Sequence, residues 1–186
     1  MTISAVLLAG GKSSRMGRDK ATMLFRGAPL WKNQLDLLRR IRPSEILVSA
    51  QVDPPWRPPD VKFVGDEQPS RGPLGGISGT LARITTDHLL VLAIDVPFMT
   101  EVYLHRLCQH AGKWQGIVPM IADRAEPLVA IYPREAKDEF ATALSSNDFS
   151  LQPLVRRLIT DGKLRSMEVS DDDRLLFRNL NEPEDL

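Results

Sequence analysis

The sequence contains a single cysteine, Cys108, so no disulfide can form within the chain, and a cytoplasmic setting is the simpler expectation. It also lacks an excess of either charge, because 24 lysine and arginine residues balance 24 aspartate and glutamate residues. This balance gives no electrostatic reason to expect nucleic acid or an anionic membrane as a partner. Any anionic ligand would therefore have to be bound by a local group of cations.

Long apolar runs are missing as well. The apolar segment near the N-terminus, residues 3–8, is too short to span a bilayer, and no basic start or cleavage site of a signal peptide surrounds it. With 186 residues, of which 42% are hydrophobic, the chain is long enough to bury a core. We therefore expect residues 1–186 to form one domain, with no membrane segment.

Short apolar runs alternate with amphipathic segments along most of the chain. Ile3–Leu8 and His88–Ile94 have the pattern of buried parallel strands, whereas Leu30–Ile41 is apolar on one face only, as in a helix. Thr100 is a good N-cap for a helix that reaches about His110. Further strands are predicted at 45–50, 61–64, 116–120 and 128–132, and further helices at 74–84, 133–144 and 151–159.

This alternation predicts βαβ units and therefore a three-layer, Rossmann-like α/β fold with a mostly parallel sheet. In such folds ligands bind beyond the carboxyl ends of the strands. Two segments fall at such ends, residues 9–20 and residues 95–97. They are the first places to look for a functional site.

The loop after the first strand combines glycines with cations. Gly10, Gly11 and Gly17 allow backbone amides to approach a ligand, and the cations Lys12, Arg15, Arg18 and Lys20 fall within nine residues. A polyphosphate needs both features. The Walker pattern is excluded because Val6 stands where it needs glycine, and the dinucleotide pattern Gly-x-Gly-x-x-Gly is absent. A plain glycine-rich turn with solvated basic residues is the alternative interpretation.

A family resemblance rests on several motifs in the same order along the chain. Leu8-Ala-Gly-Gly-Lys-Ser-Ser-Arg-Met-Gly-Arg-Asp-Lys20 resembles the signature of the molybdenum cofactor guanylyltransferases, within the wider nucleotidyltransferase superfamily. Other segments resemble further motifs of that family: Gly27-Ala-Pro-Leu30, Asp66, Gly72-Pro-Leu-Gly-Gly76, Asp95-Val-Pro97, Pro127-Leu-Val-Ala130 and Asn179-Leu-Asn-Glu-Pro-Glu-Asp-Leu186.

The resemblance implies a fold of the nucleotide-diphospho-sugar transferase type and the transfer of GMP from GTP to molybdopterin, with pyrophosphate leaving. It implies Mg²⁺ as the cofactor, with Asp95 as its ligand, and catalytic roles for Arg15, Lys20 and Asp95. Gly10 favours guanine, because the cytidine-using relatives carry alanine there. The residues expected to bind the nucleotide are Leu8, Ala9, Gly10, Gly11, Lys20, Asp66, Gly76 and Asp95.

Two other classes stay open: a related transferase that uses CTP or a sugar-phosphate acceptor, and a guanine-nucleotide-binding protein without catalysis. The family reading puts Asn179 and Asn181 near the acceptor or the metal. A molybdoenzyme or a cofactor-handling protein is the protein partner to consider.

The chain departs from the family pattern near residues 149–151. The family has an arginine there that is proposed to contact the acceptor, whereas this chain has Phe149-Ser-Leu151. Arg156 or Arg157 are the nearby candidates to replace it.

Overall fold

The main feature of the computed structural model is a sheet of eight strands in the order β10-β7-β9-β6-β1-β4-β5, with β8 paired to β7. Residues 1–10, 20–65, 71–146 and 148–180 are described. The strands of this sheet are β1 Ile3–Leu8, β4 Glu45–Ala50, β5 Lys62–Gly65, β6 His88–Ala93, β7 Gly116–Ile121, β8 Arg124–Ala125, β9 Val129–Pro133 and β10 Leu164–Glu168. A separate hairpin pairs β2 Leu24–Phe25 with β3 Ala28–Pro29.

Five α-helices accompany the sheet in the described residues. They are α1 Leu30–Arg40, α2 Gly72–Leu81, α3 Glu101–His110, α4 Lys137–Leu144 and α5 Leu151–Thr160. Short 3₁₀ helices occupy Lys20–Thr22, Arg134–Ala136 and Asp171–Phe177. None of the helices has the length and apolar character needed to cross a membrane, as judged over the described residues.

The strands at the centre of the sheet are parallel, as predicted. β1 lies between β4 and β6, and both pairings are parallel. β9 departs from the pattern, because it runs antiparallel to both β6 and β7. The prediction of a mostly parallel sheet is therefore confirmed, and the carboxyl ends of β1, β4 and β6 meet at one edge.

Two hydrophobic layers cover the faces of the sheet and confirm the three-layer prediction. Alternate residues of β1 point to opposite faces, so Ala5 and Leu7 belong to one layer and Val6 and Leu8 to the other. The first layer includes the buried sides of α1 and α3. The second includes those of α2, α4 and α5.

The predicted helices and strands lie close to their observed positions. Thr100 caps α3 as expected, with its hydroxyl accepting a hydrogen bond from the Tyr103 amide at 3.3 Å. At the segment predicted as a helix from residue 133, the chain first forms the 3₁₀ turn Arg134–Ala136. The prediction missed β8 and β10, because both depend on pairing with β7, which is distant in sequence from β10.

Candidate active site

The carboxyl ends of β1 and β6 are joined directly, which brings the two predicted site segments together. The Ile94 amide donates a hydrogen bond of 3.0 Å to the Leu8 carbonyl, and the Ala9 amide donates one of 2.9 Å to the Ser49 carbonyl. Ala9 and Gly10 thus leave the sheet between β4 and β6, beside Asp95. The predicted residues Leu8, Ala9, Gly10 and Asp95 lie at one edge of the sheet.

Two hydrogen bonds to backbone carbonyls hold the Asp95 turn from two sides. The buried side chain of Gln34, on α1, donates to the Val96 carbonyl at 2.8 Å. The Leu180 amide, near the end of the described chain, donates to the Asp95 carbonyl at 2.9 Å. The position of the Asp95 carboxylate is therefore set by three elements: β6, α1 and the C-terminal segment.

Lys20 lies at the same edge of the sheet. It begins the 3₁₀ helix Lys20–Thr22, and its Nζ donates a hydrogen bond of 3.1 Å to the Leu180 carbonyl. Since the Leu180 amide binds the Asp95 carbonyl, the backbone of one residue connects the predicted cation and the predicted metal ligand. Lys20 and Asp95 are 75 positions apart in the sequence, and only the fold brings them close together.

The electrostatics of Asp95 reflect its half-buried position. Burial raises the pKa of the Asp95 carboxyl above its usual value, and the positive charge of Lys20 offsets part of this effect. Glu126, in the turn between β8 and β9, behaves in the same way: burial raises its pKa, and the Arg124 guanidinium opposes the shift. Both acids are partly desolvated, so each gains more from a cation than an exposed carboxylate would.

Asp95 and Glu126 line one cleft of about 370 Å³. This volume falls within the range of small-molecule sites, roughly 300 to 1,000 Å³. The remaining lining residues come from the strand ends, the β8–β9 turn, α5 and the C-terminal segment: Ala93, Val96, Arg124, Ala125, Pro127, Leu128, Val129, Gln152, Phe177 and Asn179. The cleft thus combines two acids, one arginine and two side-chain amides.

The helix α2 packs very closely against the strand ends at Gly76, which was predicted to bind the nucleotide. A Cβ atom added to Gly76 would lie 2.6 Å from the Ser49 Oγ and 3.1 Å from the Leu8 Cδ2. A side chain at position 76 would therefore have to displace the Ser49 hydroxyl and press on the Leu8 side chain. The geometry gives Gly76 a packing role beside the predicted loop, whether or not it contacts a base.

The other predicted site residues have different outcomes. Asn179 lines the cleft with Asp95. Gly11, Arg15, Asp66 and Asn181 lie outside the described residues, so their predicted roles stay predictions. Sequence reasoning missed Arg124, Glu126 and Gln152 as cleft residues. The only signal was that Glu126 directly precedes the Pro127-Leu-Val-Ala130 motif.

Comparisons with known proteins identify the family. The model of the MobA-like NTP transferase domain matches residues 5–163. The chain belongs to this family. It is 32% identical, over 98% of its length, to the "Probable molybdenum cofactor guanylyltransferase" of Opitutus terrae, and the match covers 92% of that relative. The predicted resemblance and the predicted class of nucleotidyltransferase enzymes are therefore confirmed.

Solved structures show how widely the fold is shared. Molybdopterin-guanine dinucleotide biosynthesis protein A from Archaeoglobus fulgidus superposes with a TM-score of 0.74 at 22% identity, covering 98% of this chain and 94% of that one. The 4-diphosphocytidyl-2C-methyl-D-erythritol synthase of Anaerococcus prevotii gives 0.72 at 15% identity, with coverages of 99% and 92%. The predicted fold class is confirmed, but the fold alone does not choose between guanine and cytosine.

Proposed function

We propose that this chain, as one nucleotidyltransferase domain, transfers GMP from GTP to the phosphate of molybdopterin in the cytoplasm. The observation that carries the proposal is the juxtaposition of Lys20 and Asp95 at the strand ends, in a chain whose relatives are named molybdenum cofactor guanylyltransferases. The product would be the guanine dinucleotide form of the cofactor. A molybdoenzyme or a cofactor-handling protein would then receive it.

The bond changes follow from the chemistry of the two substrates. An oxygen of the molybdopterin phosphate attacks the α-phosphorus of GTP, a new P–O–P bridge forms, and the bond to the β-phosphate oxygen breaks. Pyrophosphate leaves with the bonding electrons. The attacking phosphate is already anionic at neutral pH, so no residue has to remove a proton. The work of the protein is to hold the reactants in line and to stabilise negative charge.

The residues at the site fit a hard divalent cation. Asp95 and Glu126 both line the cleft, and carboxylate oxygens are ligands that Mg²⁺ accepts. Within the described residues, no group of three or more histidine, cysteine, aspartate or glutamate side chains forms a metal cluster. Mg²⁺ commonly uses only one or two carboxylates together with phosphate oxygens and water, so Asp95 is sufficient as its protein ligand. When bound, Mg²⁺ would neutralise phosphate charge.

Besides the metal ion, the side chain of Lys20 supplies a positive charge at the site. Its Nζ lies next to Leu180 and close enough to Asp95 to affect the pKa of that carboxyl. A phosphate group that enters beside Asp95 would therefore lie near the Lys20 ammonium, which a hydrogen bond to the Leu180 carbonyl keeps in place. Arg15 is proposed to assist from the basic loop, and Gly10 and Gly11 to line the nucleotide without obstruction.

The test is direct synthesis of the product. The protein is incubated with Mg²⁺, molybdopterin and GTP labelled in the α-phosphate, and the dinucleotide is separated by chromatography. We expect label in the dinucleotide and one pyrophosphate released for each transfer. A parallel reaction with labelled CTP should give much less product, because Gly10 matches the guanine-using branch.

Two results would contradict the proposal. Equal or better use of CTP would favour a cytidylyltransferase, an alternative that the shared fold with the Anaerococcus prevotii enzyme keeps open. GTP binding without any pyrophosphate release, in the presence of molybdopterin or of sugar phosphates, would favour a non-catalytic nucleotide-binding protein.

A further inference from the structure

The cleft beside Asp95 presents an electrostatic problem for an anionic acceptor. Its side chains include the carboxylates of Asp95 and Glu126, both partly desolvated. A phosphate monoester carries between one and two negative charges at neutral pH and would be repelled by any of these carboxylates that is not paired with a cation. A cation on the acceptor side would therefore favour binding here, in addition to Mg²⁺ and the charges that serve the triphosphate.

Among the residues that the structure describes, Arg124 is the cation that lines this cleft. Its side chain is exposed, and within the described part of the chain it forms no ion pair. Its charge nevertheless reaches the cleft, because it lowers the pKa of Glu126 against the effect of burial. The guanidinium is thus near Glu126 without a direct ion pair among the described residues, which leaves its donors available to a ligand.

The backbone that carries Arg124 is fixed on both sides. On one side β8 pairs antiparallel with β7, with Ile121 opposite Arg124. On the other side the Gln152 amide forms two bonds to Ala125: Nε2 donates to the carbonyl at 2.8 Å, and Oε1 accepts from the amide at 3.3 Å. Gln152 itself lies in the first turn of α5, which Ser150 caps. A short strand of two residues is thereby held in place by a helix.

The other arginines near the segment that departs from the family pattern do not line this cleft. The Arg71 guanidinium donates to the Leu144 carbonyl and lies 5.5 Å from the centre of the Phe149 ring, beside a different cleft. Arg157 pairs with Asp161 at 3.6 Å on the exposed side of α5, and Arg156 is exposed beside it. Neither Arg156 nor Arg157 is among the residues that line the cleft.

We propose that Arg124 binds the phosphate monoester of the acceptor, and that Gln152 positions it. This inference rests on the proposed function, and it replaces the expectation that Arg156 or Arg157 serves the acceptor. Arginine suits the role because its planar fork can donate two parallel hydrogen bonds to one phosphate while leaving a third oxygen free to attack. The charge of Arg124 also offsets the repulsion from Asp95 and Glu126.

The test separates binding of the acceptor from binding of GTP. Steady-state kinetics with molybdopterin and Mg-GTP are compared for the wild type, Arg124→Gln, Arg124→Lys and the matched surface control Arg156→Gln. We expect Arg124→Gln to raise the KM for molybdopterin by about ten- to a hundredfold, since a lost bond to a charged group has this effect on affinity. The KM for GTP should change less than about twofold, and Arg156→Gln should resemble the wild type.

Arg124→Lys tests the nature of the contact. A lysine restores the charge without the fork, so the KM for molybdopterin should fall between those of the wild type and Arg124→Gln, and it should rise more steeply with salt concentration. Gln152→Leu removes both bonds to Ala125 and leaves Arg124 intact. It should raise the same KM by a smaller factor, without changing the KM for GTP.

The outcomes distinguish this inference from the proposed function. If the wild type makes no dinucleotide from molybdopterin, the proposed function fails, and the acceptor role of Arg124, which rests on it, fails as well. If the wild type is active and Arg124→Gln keeps a wild-type KM for molybdopterin, the inference is overturned while the function stands. A rise in the KM for GTP equal to that for molybdopterin would also overturn it, because Arg124 would then serve the nucleotide.

Discussion

At the scale of single residues, the site depends on two side chains that share one backbone partner. Lys20 donates to the Leu180 carbonyl, and the Leu180 amide donates to the Asp95 carbonyl. This arrangement keeps a cation close to a half-buried carboxylate without a direct ion pair between them in the described structure. The Leu180 backbone thus places the Lys20 ammonium and the Asp95 carboxylate at the same strand ends.

Replacing Lys20 tests whether its charge acts during the reaction. If the ammonium stabilises charge that develops on the transferring phosphate, Lys20→Ala should lower kcat by a factor of about a hundred to a thousand, with a smaller effect on GTP affinity. Steady-state kinetics at saturating GTP measure this, with Lys32→Ala as a control, because Lys32 forms an exposed pair with Asp36. A wild-type kcat together with weak GTP binding would instead make Lys20 an anchor for the ground state.

Replacing Asp95 should separate activity from stability. The pKa of Asp95 is raised by burial, so the folded protein binds the proton more tightly than the unfolded chain does. Its ionised form therefore lowers the free energy of unfolding at neutral pH, and this cost disappears as the pH falls through the folded pKa. Asp95→Asn removes the charge at similar volume, and we expect turnover to be lost while the melting temperature stays the same or rises.

Calorimetry and the labelled-GTP assay check both halves of this expectation. A marked fall in melting temperature would mean that the carboxylate stabilises the fold through contacts that asparagine cannot replace. Full turnover in a folded Asp95→Asn protein would show that the metal ion is held by other groups.

At the scale of elements, the approach of α2 to the ends of β1 and β4 sets the geometry of the site. Gly75 and Gly76 provide a matched pair of positions in the same turn of α2. A Cβ at Gly76 would lie 2.6 Å from the Ser49 Oγ, whereas one at Gly75 would meet only the Arg71 Cβ, at an ordinary 3.6 Å. Both substitutions by alanine gain about the same helix propensity, up to roughly 1 kcal/mol.

The difference between the two variants therefore measures the close packing alone. We expect Gly76→Ala to have a free energy of unfolding about 1–3 kcal/mol below that of Gly75→Ala, because side chains of a filled core must move. Urea unfolding of both variants gives this difference. Equal stabilities would show that Ser49 and Leu8 yield without cost, and Gly76 would then need another explanation, such as contact with the nucleotide.

At the scale of the whole molecule, the end of the sheet opposite the site contains a buried histidine. His88 begins β6 at the end away from Asp95 and is fully buried. Among the described residues neither ring nitrogen has a hydrogen-bond partner of good geometry, although the Gln115 backbone lies near enough to act on the ring. Burial lowers its pKa below the usual 6.5. The Gln115 backbone and the carboxylates of Asp87 and Glu135 offset only part of this effect, and the amino terminus adds to it.

This histidine should make the fold sensitive to mild acid. Because its folded pKa is depressed, the unfolded chain binds the proton more readily, and stability is lost as the pH falls below about 6.5 towards the folded pKa. Protonation of this one group can lower the free energy of unfolding by at most about 1.4 kcal/mol per pH unit. Urea unfolding between pH 8 and pH 5 should show the decline in the wild type.

Two histidine variants identify the source of that slope. His88→Leu should flatten the pH dependence below 6.5, whereas His105→Gln should leave it unchanged, because His105 is exposed on α3 beside Glu101. If the slope survives in His88→Leu, the acid sensitivity belongs to other groups and His88 is tolerated in its charged form.

Much of the fold is determined by local pattern. Ile3–Leu8 and His88–Ala93 are strands because continuous apolar runs of this length are buried on both faces, between two layers of helices. The helices α1 and α3 follow from apolar residues that repeat on one helical face, and α3 also from the N-cap at Thr100. The glycines, cations and carboxylates of the site were visible because ligand chemistry demands particular residue types. Their placement at strand ends follows from the order of the elements.

Only the tertiary structure decided the side of the cleft that carries Arg124. β8 has two residues, too few to carry a pattern, and exists because β7 and Gln152 bind its backbone. Arg124 faces the same cleft as Asp95 because β9 runs antiparallel to β6 and brings the β8–β9 turn back to the edge where β6 ends. Pairing between strands distant in sequence is set by the packing of the whole chain, so no local sequence pattern reveals it.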